Sequence, residues 1–370
     1  MQIIPVASGK GGVGKSLLSA NLAVALGQAG KKVVLADLDL GASNLHLAIG
    51  VTPKTGIGTF LTGGSGFEEI ITPTDYKNVS FIAGDSEIPG LSSLKVTQKN
   101  ALIKKFHSLK ADYLIIDLGA GTHLTILDMF LLSPQGIVVT APTVTATLNG
   151  YLFLKNVVFR LMSATFKKGT KAAEYMSRLR SDSASLQRLY IPKLIESIEK
   201  VDPENAAQLK ARLKQFHPRL IMNMIEEPKD ADKAQKIRRS CQQYLGLDVE
   251  SLGVMYRDSL QDKALASWLP VVVYKPNAVL SQAIFRIADK VMQDETISFD
   301  DSFENAAEEA SDDYTVKMSY VEDLVGTGAL SVSELGDMIK QQQYELTQLR
   351  NENLLLKSKL VKAAQQGFKV

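Results

Sequence analysis

One lysine, one serine and three aspartates are the residues in this chain whose types and spacing could do chemistry. Lys15 and Ser16 close the run GKGGVGKS at 9–16, which fits the pattern G-x-x-x-x-G-K-S. Glycines let a backbone curl until successive N–H groups converge on phosphate oxygens. A helix starting at the end of the run adds the partial positive charge of its N-terminus. Gly11, Gly12, Val13, Gly14, Lys15, Ser16 and Leu17 are therefore expected to line a phosphate cradle. Lys15 would reach the β and γ phosphates of a nucleotide, and the Ser16 hydroxyl would ligate magnesium. Asp37 and Asp39 follow the apolar run at 33–36, and their i, i+2 spacing puts them on one side of an extended segment. Two such carboxylates repel each other unless a cation or hydrogen bonds offset the repulsion. Asp117 ends the apolar run at 113–116 and is poised to hold magnesium through its water shell. Gly119 and Gly121 behind it would let backbone approach a terminal phosphate.

The elements that must position these groups follow from hydrophobic pattern. A short β-branched strand at 3–6 runs into the glycine loop, and helical spacing continues over 17–26. Strand patterns recur at 33–36, 79–83, 113–116, 136–141, 220–224, 252–255 and 271–274. Helical patterns fall between them, at 96–109, 149–162 and 278–292 among others. Continuous apolar strands alternating with helices predict an α/β fold, a doubly wound and mostly parallel sheet, over residues 1–293, and the strand–glycine loop–helix start marks it as the P-loop NTPase kind. Helices at 171–180, 185–200 and 204–216 exceed what one crossover needs, so a helical insertion is expected at about 164–217, basic at its start. The segment at 52–66 reads as mobile. Residues 294–330 read as an acidic linker. Residues 331–370 read as a long C-terminal helix. Leu346, Leu349, Leu356 and Leu360 form a stripe there with Asn353 at an a position, a pattern for a coiled coil that pairs with its own copy or with a partner protein.

Composition narrows the classes. The 370 residues carry a formal charge of +2, so no global basic field demands nucleic acid, and a nucleic-acid partner is not favoured. A single cysteine, Cys241, excludes an intrachain disulfide framework and fits a reducing cytoplasm. The N-terminal residues lack the basic and apolar regions of a signal peptide. No apolar run approaches the roughly 18 residues of a transmembrane helix.

SGKGGVGKS at 8–16 resembles the deviant phosphate loop of the MinD/ParA ATPases, whose mark is a second lysine, here Lys10, ahead of the ordinary one. VVLADLDLGASNLHLAIG at 33–50 is similar to the corresponding segment of MinD and of the FlhG/YlxH flagellar-number regulators. DLGAG at 117–121, VVTAPT at 138–143 and Asn223 extend the resemblance. It implies a cytoplasmic switch ATPase, acting at a pole or peripherally at the membrane, with ATP and Mg2+ as cofactors, forming a homodimer that sandwiches two ATP molecules. Lys10 would cross to the partner's nucleotide, Asp39 would orient the attacking water, Asp37 and Asp117 would assist the magnesium shell, and Asn223 would face the adenine. The implied role is control of the position or number of an assembly, flagellar or polar. A non-enzymatic nucleotide-binding scaffold and a DNA partition ATPase are the competing readings. Leu17, Leu118-Gly119 and Met255-Tyr256 depart from the family pattern, which more often has a hydroxyl residue, a residue followed by Pro, and Ile-Pro at these places.

Overall fold

The computed structural model describes residues 1–41, 43–84, 94–181, 190–293 and 299–326. The C-terminal stripe of Leu346, Leu349, Asn353, Leu356 and Leu360 lies outside the described residues. The chain divides into two compact units, Met1–Tyr314 and Thr315–Val370. The first contains an eight-stranded sheet. Its strands are β1 (Gln2–Ser8), β2 (Val33–Leu38), β3 (Ile71–Pro73), β4 (Val79–Ile82), β5 (Tyr113–Ala120), β6 (Ile137–Thr140), β7 (Arg219–Ile225) and β8 (Glu250–Tyr256). Their order across the sheet is β3, β4, β2, β5, β1, β6, β7, β8. All pairings are parallel except that of the edge strand β3 with β4.

The strands are apolar on both faces because helices cover both. On β2, Val34, Ala36 and Leu38 enter one core and Val33 and Leu35 the other. On β5, Leu114, Ile116 and Leu118 alternate in the same way with Tyr113 and Ile115. Helix α1 (Lys15–Gln28) packs on the face of the odd-numbered residues through Leu18, Leu22 and Leu26. Period-2 alternation therefore turns Asp37 and Asp117 toward α1, and the two are register partners on neighbouring strands. The core under α1 also takes α2 (Leu45–Ile49) through Leu45 and Ile49. Ile57 of α3 (Ile57–Leu61) is wholly buried in the core on the opposite face, with Val34 and Ala36, and Gly56 bridges to Ala83, so the segment expected to be mobile is anchored. Leu102 of α4 (Val96–His107), Leu127 of α5 (Leu124–Phe130) and Phe153 of α6 (Val144–Thr165) cover the rest of that face.

The connection from β6 to β7 is helical, as its patterns predict. It contains α6, α7 (Lys171–Ser181), α8 (Ile191–Val201) and α9 (Pro203–Lys214). Asp202 caps α9 by accepting from the Asn205 N–H at 3.3 Å, and it also accepts from the Ala172 N–H at 3.1 Å, which ties α7 to the α8–α9 corner. Met176, Leu194, Ile198 and Leu209 join the same core as the sheet. Arg160, one of the basic residues of this region, grips the half-buried Asp128 together with Lys99.

Two expectations fail. The run at 271–274 is a short helix, α12 (Val271–Tyr274), not a strand. A four-residue apolar run carries no usable period, and here the Val272 N–H donates to Asn21 Oδ1 of α1 at 3.0 Å instead of joining a ladder. The acidic stretch is not a linker from residue 299 onward. It forms α14 (Phe299–Gly326) after α10 (Asp232–Ser240), α11 (Leu260–Ala266) and α13 (Val279–Met292). Phe303, Ala306 and Ala310 give α14 a buried stripe at helical spacing that average composition hides. Its portion up to Tyr314 lies along β8, the other edge of the sheet. Ser302 Oγ accepts from the Ser251 N–H at 3.1 Å, and Tyr256 donates its hydroxyl to the Ala310 carbonyl at 2.6 Å. Lys290 pairs with Glu309 at 2.7 Å, and Arg286 pairs with Asp313. Among the described residues no helix is long and apolar enough to cross a membrane.

Candidate active site

The carboxyl ends of β1, β2, β5 and β7 converge on the loop between β1 and α1, the place where open α/β sheets bind ligands. Gly14 caps α1 with φ 89°, and Gly12 has φ 76°. Both values favour glycine. Close packing restricts the loop further. A Cβ on Gly9 would lie 1.9 Å from the Asn149 carbonyl oxygen of α6, and one on Gly14 would lie 2.1 Å from the Asn223 amide nitrogen. Lys15 begins α1 and is buried, while Ser16 is half-buried beside it.

Asp117 sits under this helix start and is buried. Its Oδ1 accepts from the Ser19 hydroxyl at 3.1 Å, and the Ser16 hydroxyl lies near enough to its carboxyl group to favour the ionised form. Burial raises its pKa to about 6, against the pull of the Lys15 charge and the two serine hydroxyls. Asp37 is raised to about 7, first by burial and then by the charge of Asp117. Each of its oxygens is already an acceptor. Oδ1 receives the Asp39 N–H at 2.9 Å, and Oδ2 receives the Ser43 hydroxyl at 2.7 Å and the Leu45 N–H at 3.2 Å. Asp37 therefore holds the start of α2 and the turn that carries Asp39. Asp39 is half-exposed on that turn. Gly119 lies against it, since a Cβ there would come within 3.2 Å of its Oδ1. A proline, as the family pattern has at this place, would crowd that carboxylate.

The donor set fits magnesium. Ser16 and Asp117 offer hard oxygen atoms, whereas both oxygens of Asp37, expected beside them in the magnesium shell, already accept from Asp39, Ser43 and Leu45; two adjoining buried carboxylates with raised pKa values are an arrangement that a nearby cation relieves. Among the described residues no group of three or more His, Cys, Asp or Glu could hold a metal by itself. Such a site suits an ion that keeps most of its water and phosphate ligands.

Lys10 and Asn223 each have a protein partner at the rim of the loop. Lys10 does not turn back into its own loop. Its Nζ donates to Thr145 Oγ1 at the start of α6, 3.0 Å away and exposed. Asn223 reaches the loop and uses both ends of its amide on backbone there. Its Nδ2 donates to the Val13 carbonyl at 2.9 Å, and its Oδ1 accepts from the Met224 N–H at 2.8 Å. Met224 itself has φ 58°, an uncommon conformation for a large side chain. Asn223 thus braces the phosphate loop from β7. Pattern reading missed Ser19, Ser43 and Thr145. Ser19 lies one helical turn after Lys15, the spacing at which a second hydroxyl shares the face of the first, and that signal was present. Thr145 had none, because its partner is 135 residues away.

Residues 4–311 match the model of the CobQ/CobB/MinD/ParA nucleotide-binding domain. The antiactivator FleN of Pseudomonas aeruginosa is 30% identical over 159 residues, 42% of this chain and 56% of FleN. The flagellum site-determining protein YlxH of Helicobacter pylori is 34% identical over 159 residues, 42% of this chain and 53% of YlxH. The chain thus spans about half the length of these curated relatives. The septum site-determining protein MinD from Pyrococcus horikoshii, solved with Mg-ADP, superposes with a TM-score of 0.52 at 22% identity, covering 78% of this chain and 95% of that one. That likeness is one of fold.

Proposed function

Because the chain belongs to the CobQ/CobB/MinD/ParA nucleotide-binding family, we propose that it is a Mg-dependent ATPase switch with slow turnover, controlling where or in what number a cellular assembly forms, with the flagellum as the favoured target. The observation that carries this reading is the convergence of Lys15, Ser16 and Asp117 at one helix start, with Asp39 at its margin. Lys15 and the loop amides would hold the β and γ phosphates. Ser16 and Asp117 would hold magnesium, which neutralises developing charge on the phosphates. Asp39 would orient the attacking water. Asp37 would position Asp39 and α2 rather than touch the ion, and Asn223 would position the loop. Positioning and charge neutralisation supply most of the help in phosphoryl transfer, so these few groups suffice. Lys10 would leave Thr145 for the nucleotide of a second copy, which couples hydrolysis to pairing.

The test is ATP binding and hydrolysis by the purified chain. Lys15→Ala should lose ATP binding. Asp39→Ala should keep ATP and lose turnover by tenfold or more, a barrier increase of roughly 1.4 kcal/mol. Wild-type rates in both variants would refute the site.

A further inference from the structure

We propose that the turn following α11, which carries Trp268, is a lipid-contacting surface that docks on an anionic bilayer. Residues 265–269 are all exposed. Leu265 is 43%, Trp268 50%, Leu269 37% and Tyr274 39% exposed, a concentration of large apolar side chains in one short segment. The backbone makes this arrangement deliberate. The Trp268 N–H donates to the Leu265 carbonyl and the Leu269 N–H to the Ala264 carbonyl, each at 3.0 Å. That pair of bonds closes a helix with a left-handed residue at the first position beyond its cap, and Trp268 has φ 57° there. Glycine is the residue that fits this position. A bulky side chain strains it, and strain kept at an exposed site points to use of the side chain.

The turn is also fixed from beneath. Gly50, with φ 66°, ends α2 so close to the Trp268 carbonyl oxygen that a Cβ would lie 2.3 Å from it. Pro270 and Ala264 are buried below the exposed residues. The ring is thus held outward by the fold.

Shape and chemistry select the occupant. The turn is a helix end, and the cavities of about 460 and 640 Å³ have their walls elsewhere, at residues such as Tyr76 and Lys110 for one and Tyr151 and Lys236 for the other. A partner helix needs a groove, whereas a bilayer accepts a protruding tip. Trp and Tyr place amphipathic rings at headgroup level, and leucines enter the acyl boundary. Lys263 and Lys275 against Asp262 leave the segment net positive, which suits anionic headgroups. This reading is independent of the ATPase chemistry, and its test needs no nucleotide.

Trp268 is the sole tryptophan, so its emission reports directly on the turn. The full chain is mixed with vesicles of phosphatidylcholine plus phosphatidylglycerol and with vesicles of phosphatidylcholine alone. The expected result is a blue shift and co-sedimentation with the first, both weaker with the second. Trp268→Gly should keep or raise the melting temperature, since glycine fits the left-handed position, yet weaken vesicle binding by about tenfold or more. Leu269→Asp should weaken it similarly with the tryptophan still present to report. An unshifted emission with both vesicles overturns the proposal. So does a Trp268→Gly protein that sediments like the wild type, or one that loses its fold, which would make the side chain structural.

Discussion

The two buried carboxylates make a sharp test of the site. In the folded, ligand-free protein Asp37 and Asp117 release their protons near pH 7 and pH 6, well above the ordinary carboxyl value of 3.8. Between those limits the folded state binds more protons than the unfolded chain. Their contribution is therefore favourable at low pH and is lost as pH rises through the folded values. Asp37→Asn cannot lose a proton, so its melting temperature relative to the wild type should climb from about pH 5 to about pH 8. A difference that stays flat or falls would mean that the carboxyl group is ionised throughout. Mg-ATP should shrink the effect, because a cation held at Asp117 lowers the cost of ionising both carboxyl groups. These acids were legible in the sequence because a strand end followed by Asp is a local signal. Their supporting hydroxyls were legible only as a shared helix face, not as partners of these acids. Ser19 meets Asp117 across 98 residues, a contact that only the parallel register of β2, β5 and β1 creates.

Elements with a clean period were read correctly, and elements whose period is diluted were not. The helices of the β6–β7 connection show their apolar stripes openly. In α14 the stripe of Phe303, Ala306 and Ala310 is embedded in acidic residues, so composition outweighed pattern. Tyr256, one of the departures from the family pattern, gains a reason here, because its hydroxyl meets the Ala310 carbonyl. If α14 is part of the folded core, Phe303→Ala should cost about 3–5 kcal/mol in urea denaturation, the usual price of deleting a buried phenyl ring. A cost below about 1 kcal/mol would return the segment to the status of a surface attachment. The reverse error, a strand expected at 271–274, arose because three valines in a row look extended when nothing shows that Asn21 awaits their backbone.

At the scale of the whole molecule the mostly parallel sheet, its two covered faces and the loop at its centre agree with the doubly wound fold expected from alternating apolar runs, whereas the strand order comes from the structure alone. Pairing of two copies belongs to this scale. Lys10 rests on Thr145 at the surface and contributes little to stability, so Lys10→Ala should fold normally. In an Asp39→Ala background, which should hold ATP, light scattering should show an ATP-dependent dimer that disappears when Lys10 is also replaced. A dimer that persists without Lys10 would refute its role across the interface. The last strand of the sheet sets a different limit. A parallel edge such as β8 is a row of N–H and C=O groups ready to template another chain, and proteins keep it from doing so by covering it. Here the cover is α14, whose Ser302 already takes an outward N–H of β8. A chain cut where the acidic residues begin would keep every group of the nucleotide site and still be prone to stack edge to edge into aggregates. The shortest well-behaved nucleotide-binding core therefore ends beyond Tyr314, after the helix that shields it.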